Sequence, residues 1–154
     1  MNEKLANLGN METFRKVLSL STDQEGDIID LTGEVKTALA RSRMKEGLAC
    51  VFVPHSTAAI YAIENEPGLQ KDMKGALQRL FPKGMGYEHN GTAGDGNGHS
   101  HIRASFLGSS MTVPFNDGAL DLGIWQQLVL MELDNGGRDC KVVIQLIGSQ
   151  QQKE

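Results

Sequence analysis

The sequence predicts an α+β fold. Three observations carry that expectation: two stretches with apolar residues at helical spacing, six or more short β-rich runs, and hairpin-type turns close together in the last third. The 154 residues suit one domain, taken as 1–154, because a chain of roughly 150 residues buries about two-thirds of its unfolded surface.

The elements follow in order. Thr13 to Leu20 reads as a strand. Leu31, Val35, Ala38, Leu39 and Ser42 fall on one helical face, with Asp30 or Thr32 as a cap and Gly47 as the stop. Leu48 to Pro54 is a short β-rich run. Pro67 opens a second helix as a first-turn proline, and Leu69, Met73, Leu77 and Leu80 form its apolar face. Between Pro82 and Gly98 the glycines crowd together, which predicts a long, functional loop leading into two histidines. Met111 to Phe115, Trp125 to Leu133 and Cys140 to Ile147 then read as an antiparallel meander, turned at Asn116–Gly118 and at Asp134–Gly137.

Composition excludes several function classes. The chain carries 15 Lys plus Arg against 19 Asp plus Glu, a net charge of −4. That argues against nucleic acid as a partner, while leaving room for a basic pocket that takes a small anion. No run of 18 apolar residues exists, so no membrane partner is expected. Met1 to Asn10 is polar and lacks the apolar segment of a signal peptide. Cys50 and Cys140 sit in apolar runs outside any CxxC, which fits buried free thiols and a cytoplasmic location. No GxxxxGK[ST], GxSxG or HExxH motif is present.

The chemistry-bearing residues lie in two places. His55 follows a strand and a proline, and Ser56 and Thr57 after it offer hydroxyls to an anion. His99 and His101, two apart, share a face if their segment is extended. With His55 they make three imidazoles, a donor set for zinc or another late first-row ion with one position left open. Glu64 and Asp95 could orient a ligating imidazole or hold magnesium beside a substrate phosphate. Asn65 and Asn97 flank those carboxylates, and His89 in the glycine loop reads as an exposed residue. Arg103 or Arg138 could clamp a phosphate, or be a plain surface cation. Trp125, the only tryptophan, reads as core or as subunit interface.

Three segments carry a family resemblance. His55-Ser56-Thr57-Ala58-Ala59 with Glu64-Asn65 is similar to the HTSA…NEN segment of the YjbQ family. Asp95-Gly96-Asn97-Gly98-His99-Ser100-His101 is similar to its Asp/Asn-rich AH segment. Leu107 to Pro114, followed by Gly118, Leu122, Gly123, Trp125 and Gln126, resembles its LGSSxTxPxxxGxLxLGTWQ signature, and Gly136-Gly137-Arg138 matches as well. Ile124 stands where the family has threonine, and Ile63 where it has asparagine.

The resemblance implies an antiparallel β-sandwich core with two or three flanking helices, assembled as a homotrimer. It implies a divalent metal held by His55 and His101, with His99 a less secure ligand, near the subunit interface. It further implies a thiamine-phosphate synthase-type transferase acting on small phosphorylated metabolites. Hydroxymethylpyrimidine diphosphate and thiazole phosphate would be joined with release of pyrophosphate. In that scheme Glu64, Asp95 and Arg138 take catalytic roles, and Ser56, Thr57, Asn65, Asn97 and Arg103 bind substrate. A metal-dependent hydrolase and a non-catalytic binding trimer are the alternatives.

Overall fold

The computed structural model describes residues 11–150. The expectation about Met1 to Asn10 lies outside them. In chain order the elements are β1 (Glu12–Ser21), β2 (Ile28–Asp30), α1 (Thr32–Ser42), β3 (Glu46–Phe52), β4 (Ala58–Ile63), α2 (Pro67–Leu80), α3 (Glu88–Ala93), α4 (Gly98–Leu107), β5 (Ser110–Asn116), β6 (Ala119–Leu120), β7 (Gln127–Glu132) and β8 (Asp139–Ser149).

The strands form two antiparallel sheets. The larger has the order β1-β8-β3-β5-β6 and the smaller β2-β7-β4. Their facing sides make the main core. Ala49, Val51, Val113, Phe115, Val142, Ile144 and Leu146 come from the large sheet, and Ala58, Ile60, Leu128 and Leu130 from the small one. Helix α1 adds Val35, Ala38 and Leu39 to this core.

The small sheet is covered on its other side too. Ala59, Tyr61, Ile63, Val129 and Met131 pack there against Leu77 of α2 and Ala104 of α4. Both faces of β4 and β7 are therefore dry; β4 is apolar throughout and β7 is apolar from Leu128 to Met131, without alternation. The large sheet is different. Its strands alternate buried and exposed residues, because one face looks outward. This is the α+β sandwich the sequence predicts, with four helices rather than two or three.

Local signals explain most boundaries. The Asp30 carboxylate accepts the Thr32 N–H at 2.8 Å and tethers the start of α1. That helix stops at Arg43, which takes the left-handed conformation at φ 59°, before the expected Gly47. Pro67 does occupy the first turn of α2, and the Glu66 side chain caps it by accepting the N–H groups of Gly68 and Leu69.

Three expectations need correction. The last third is not a meander: β7 belongs to the small sheet, while β8 returns to the large sheet between β1 and β3. The strand expected from Trp125 begins only at Gln127, and Trp125 sits in the preceding loop with 65% of its surface exposed. The segment expected to run extended through His99 and His101 is the helix α4, and α3 stands inside the expected loop.

Candidate metal centre

Helix α4 decides the geometry. Successive helical residues are 100° apart, so positions 99 and 101 point to nearly opposite sides. His99 turns inward and is fully buried. Its Nε2 lies 3.4 Å from Glu25 Oε1, and its Nδ1 has no hydrogen-bond partner. Burial pulls its pKa down, against the opposing pull of Glu25. His101 turns outward, away from that pocket, and its ring meets His89 with centroids 4.4 Å apart.

The three imidazoles expected together thus do not cluster within one chain. The group that does is His89, Asp95 and His101, which offer one ligand atom each within 4.8 Å of one another. His89 Nε2 stands 3.6 Å from Asp95 Oδ1, too long for a hydrogen bond, and is shielded from water without any partner. A tetrahedral zinc ion with bonds of about 2.1 Å needs its ligand atoms about 3.4 Å apart, so only a small closure separates this group from a zinc site. Two imidazoles and one carboxylate suit zinc far better than magnesium, which prefers oxygen ligands.

The chain builds this group from a fold-back. α3 carries His89, then Gly94 and Gly96 adopt φ of 77° and 65° and reverse the backbone so that Asp95 faces it. Asn90 Oδ1 accepts the Gly98 N–H at 2.9 Å, and Asn135 Nδ2 donates to the Asp95 carbonyl at 3.2 Å. The first holds the turn against the start of α4, and the second ties it to the β7–β8 turn.

A cavity of about 280 Å³ adjoins the group, and His101 belongs to both. His55, Ser56, Ser105 and Ser109 are among its other lining residues. The His55 loop is held beside the end of α4 by main-chain bonds. Val53 N–H donates to Ser109 O at 2.9 Å, and Ile60 N–H donates to Gly108 O at 3.0 Å. Among the described residues, no Asp, Glu, Lys or Arg lines the cavity.

Other expected site residues stand elsewhere. Glu64 is exposed at the far end of β4, whose six residues span about 20 Å from the His55 end. Asn65 binds Gln127 and Gln70 at that same far end, through its N–H at 2.8 Å and its Oδ1 at 2.7 Å. Thr57 is buried, and its hydroxyl donates to Asp134 Oδ2 at 3.0 Å rather than facing the cavity. Asn97 Nδ2 donates to Asp134 Oδ1 at 3.2 Å, while its Oδ1 is buried without a partner.

Neither arginine is free to clamp a phosphate. Arg103 is on the inward face of α4 with His99, and its guanidinium donates to Glu25, Gln78 and the Phe81 carbonyl. Arg138 spends its fork on the fully buried Glu132, at 3.0 Å to each oxygen, and reaches Asp134 at 3.3 Å. His89, which the sequence predicts as an exposed loop residue, is a member of the group. Its only sequence signal is the even spacing of positions 89, 95 and 101, which acquires meaning once a helix and two left-handed glycines fold that stretch.

Fold and site together define a class: an α+β sandwich with a two-histidine, one-carboxylate group beside a small cavity. A family model described as UPF0047 protein YjbQ-like matches residues 16–149. A UPF0047 protein of Methanothermobacter thermautotrophicus is 39% identical over 138 residues, covering 90% of this chain and 94% of its own. The UPF0047 protein YugU of Bacillus subtilis is 33% identical over 135 residues, covering 86% and 98%. A crystal structure from Sulfolobus solfataricus superimposes with a TM-score of 0.87 at 31% identity, covering 91% of this chain and all 100% of the other. The chain belongs to the YjbQ/UPF0047 family.

These relatives overturn one expectation. They are named only as UPF0047 proteins, and the Sulfolobus structure is described as a YbjQ-like protein of unknown function. Nothing among them supports a thiamine-phosphate synthase, so the expected transferase and its place in thiamine biosynthesis are withdrawn.

Proposed function

We propose that this protein binds one divalent cation, best matched by zinc, at His89, Asp95 and His101, and receives a small phosphorylated metabolite in the adjoining cavity. The observation that carries this reading is the convergence of three ligand atoms within 4.8 Å, one of them a shielded imidazole nitrogen with no partner. A shielded nitrogen without a partner is costly, and a cation would satisfy it. Three protein ligands leave a zinc ion an open position.

The cavity supports the second half. Its serine hydroxyls and the two imidazoles can donate to phosphate oxygens, and no lining carboxylate would repel them. A volume of about 280 Å³ suits a small metabolite. Because His101 is shared, a ligand oxygen placed there would lie beside the cation.

We take the working form to be a homotrimer. The outward face of the large sheet supports association. Val17, Val143 and Phe52 align in one cross-strand row, and Ile147, Leu48 and Pro114 in another. Apolar rows of this kind on an open sheet mark an interface. A reducing cytoplasm suits the unpaired Cys50 and Cys140. No helix among the described residues is long and apolar enough to cross a membrane.

Calorimetric titration tests the site. Metal-stripped protein titrated with zinc should bind about one equivalent per chain, and His101→Ala should abolish the heat. Inorganic phosphate should then bind to the zinc-loaded form and fail to bind Ser105→Trp, which fills the cavity. Wild-type heats in both variants would reject the reading.

A further inference from the structure

The ligand group joins two parts of the molecule that are held very differently. His101 stands on α4, which packs on the small sheet through Ala104. His89 and Asp95 stand on residues 84–96, where α3 buries none of its residues. A side chain added at Gly84, Gly86, Gly91, Gly94 or Gly96 would meet nothing within 4 Å. Few apolar contacts and many glycines mark a segment whose local opening free energy is small. Its tethers include the bonds of Tyr87 Oη and the Met85 N–H to the Pro82 carbonyl, at 3.0 and 3.3 Å, the Asn90 and Asn135 bonds, and the close approach of Tyr87 to Gly98.

We propose that the cation is a latch, which fixes residues 84–96 onto α4 by joining His89 and Asp95 to His101. The inference rests on the metal reading above and adds a consequence for this chain's own backbone. Ligand atoms already within 4.8 Å need only a small closure, and the loosely held side is the one that moves. The link closes two short loops, from 89 to 95 and from 95 to 101, so it restricts a segment that packing leaves free. The unpartnered Nε2 of His89 makes the open state competitive without the cation, since opening lets that nitrogen reach water. Cation supply would thereby set the order of the wall next to His101 and its cavity.

Hydrogen exchange read by mass spectrometry on the full chain tests this. Metal-stripped protein is compared with protein given zinc, and bound zinc is quantified in the same samples. Amides of residues 84–96 should exchange about tenfold or more slowly with zinc, while β3, β7 and β8 exchange at unchanged rates. His89→Ala, a change on a half-exposed side chain, should fold normally and show no zinc-dependent protection. One zinc per chain with unchanged exchange in 84–96 would overturn the latch and leave the metal reading standing. Protection persisting in His89→Ala would also overturn the latch. Protein that binds no zinc would overturn both.

Discussion

Arg138 shows how one side chain can be mistaken for site chemistry. An arginine in a tight turn reads as a phosphate clamp, yet here Nε and one terminal nitrogen hold Glu132, which has no exposed surface, and the other terminal nitrogen reaches Asp134. Removing one partner of such a pair strands a buried charge. Arg138→Ala should therefore lower stability by about 3 kcal/mol in urea unfolding, without changing zinc content. His99→Ala should behave similarly, losing about 2 kcal/mol with zinc content unchanged, because His99 packs between Glu25 and Tyr87. Two acids make the fold sensitive to low pH. Burial pushes Asp134 up, but the Asn135 N–H, Asn97, Thr57 and Arg138 outweigh it, so its pKa falls below the ordinary 3.8. Burial likewise opposes, and Lys83, His99 and Arg103 outweigh it, at Glu25, whose ordinary value is 4.5. Both groups have lower pKa values folded than unfolded. Their contribution is complete above the unfolded values and fades as pH falls through the folded ones. Burial also holds the His99 pKa below its ordinary 6.5, so the urea midpoint should begin to fall below about pH 6.5 and fall further below about pH 4.5; a midpoint that rises on acidification would contradict these assignments.

At the scale of elements, helix α4 and the fold-back before it carry the site. Gly98 is where they meet. A Cβ there would stand 2.5 Å from Tyr87 Cβ and 2.9 Å from Asn90 Oδ1, so α3 would have to shift. Gly98→Ala should weaken zinc binding about tenfold, as loss of an orienting contact does, while the thermal midpoint of the sandwich moves little. This element was the least legible in the sequence. The glycine run suppressed any helical expectation up to residue 98, and the two histidines then invited an extended reading. The helical signal was present one residue later: Ser100, Ala104 and Leu107 share a face, and so do His99 and Arg103. Missing it placed His99 beside His101 and left His89 out. The large sheet was easier. One-sided burial gives β1 and β8 their alternating pattern, and both strands were expected within two residues of where they lie. Strands β4 and β7, dry on both faces, have no alternation to read, and the sequence offers no separate signal for β4.

For the whole molecule, the open face of the large sheet sets the expectation. Five strands about 4.8 Å apart present a surface near the size of a standard subunit interface. Leu48 and Phe52 stand at its centre on β3 and are 45% and 40% exposed in one chain. On the proposed trimer, the wild type should sediment as a trimer and the double variant Leu48→Glu, Phe52→Glu as a monomer. An unchanged sedimentation coefficient would move the interface elsewhere. Ile124 and Trp125, 84% and 65% exposed on the loop before β7, form a second exposed apolar surface.

The direct test of the metal centre is elemental analysis of the purified wild type, His55→Ala and the His89→Ala, His101→Ala double variant, after dialysis against metal-free buffer. About one zinc per chain in the first two and none in the third is the expected result. Equal zinc in all three, or loss in His55→Ala alone, would show that these side chains do not hold the ion.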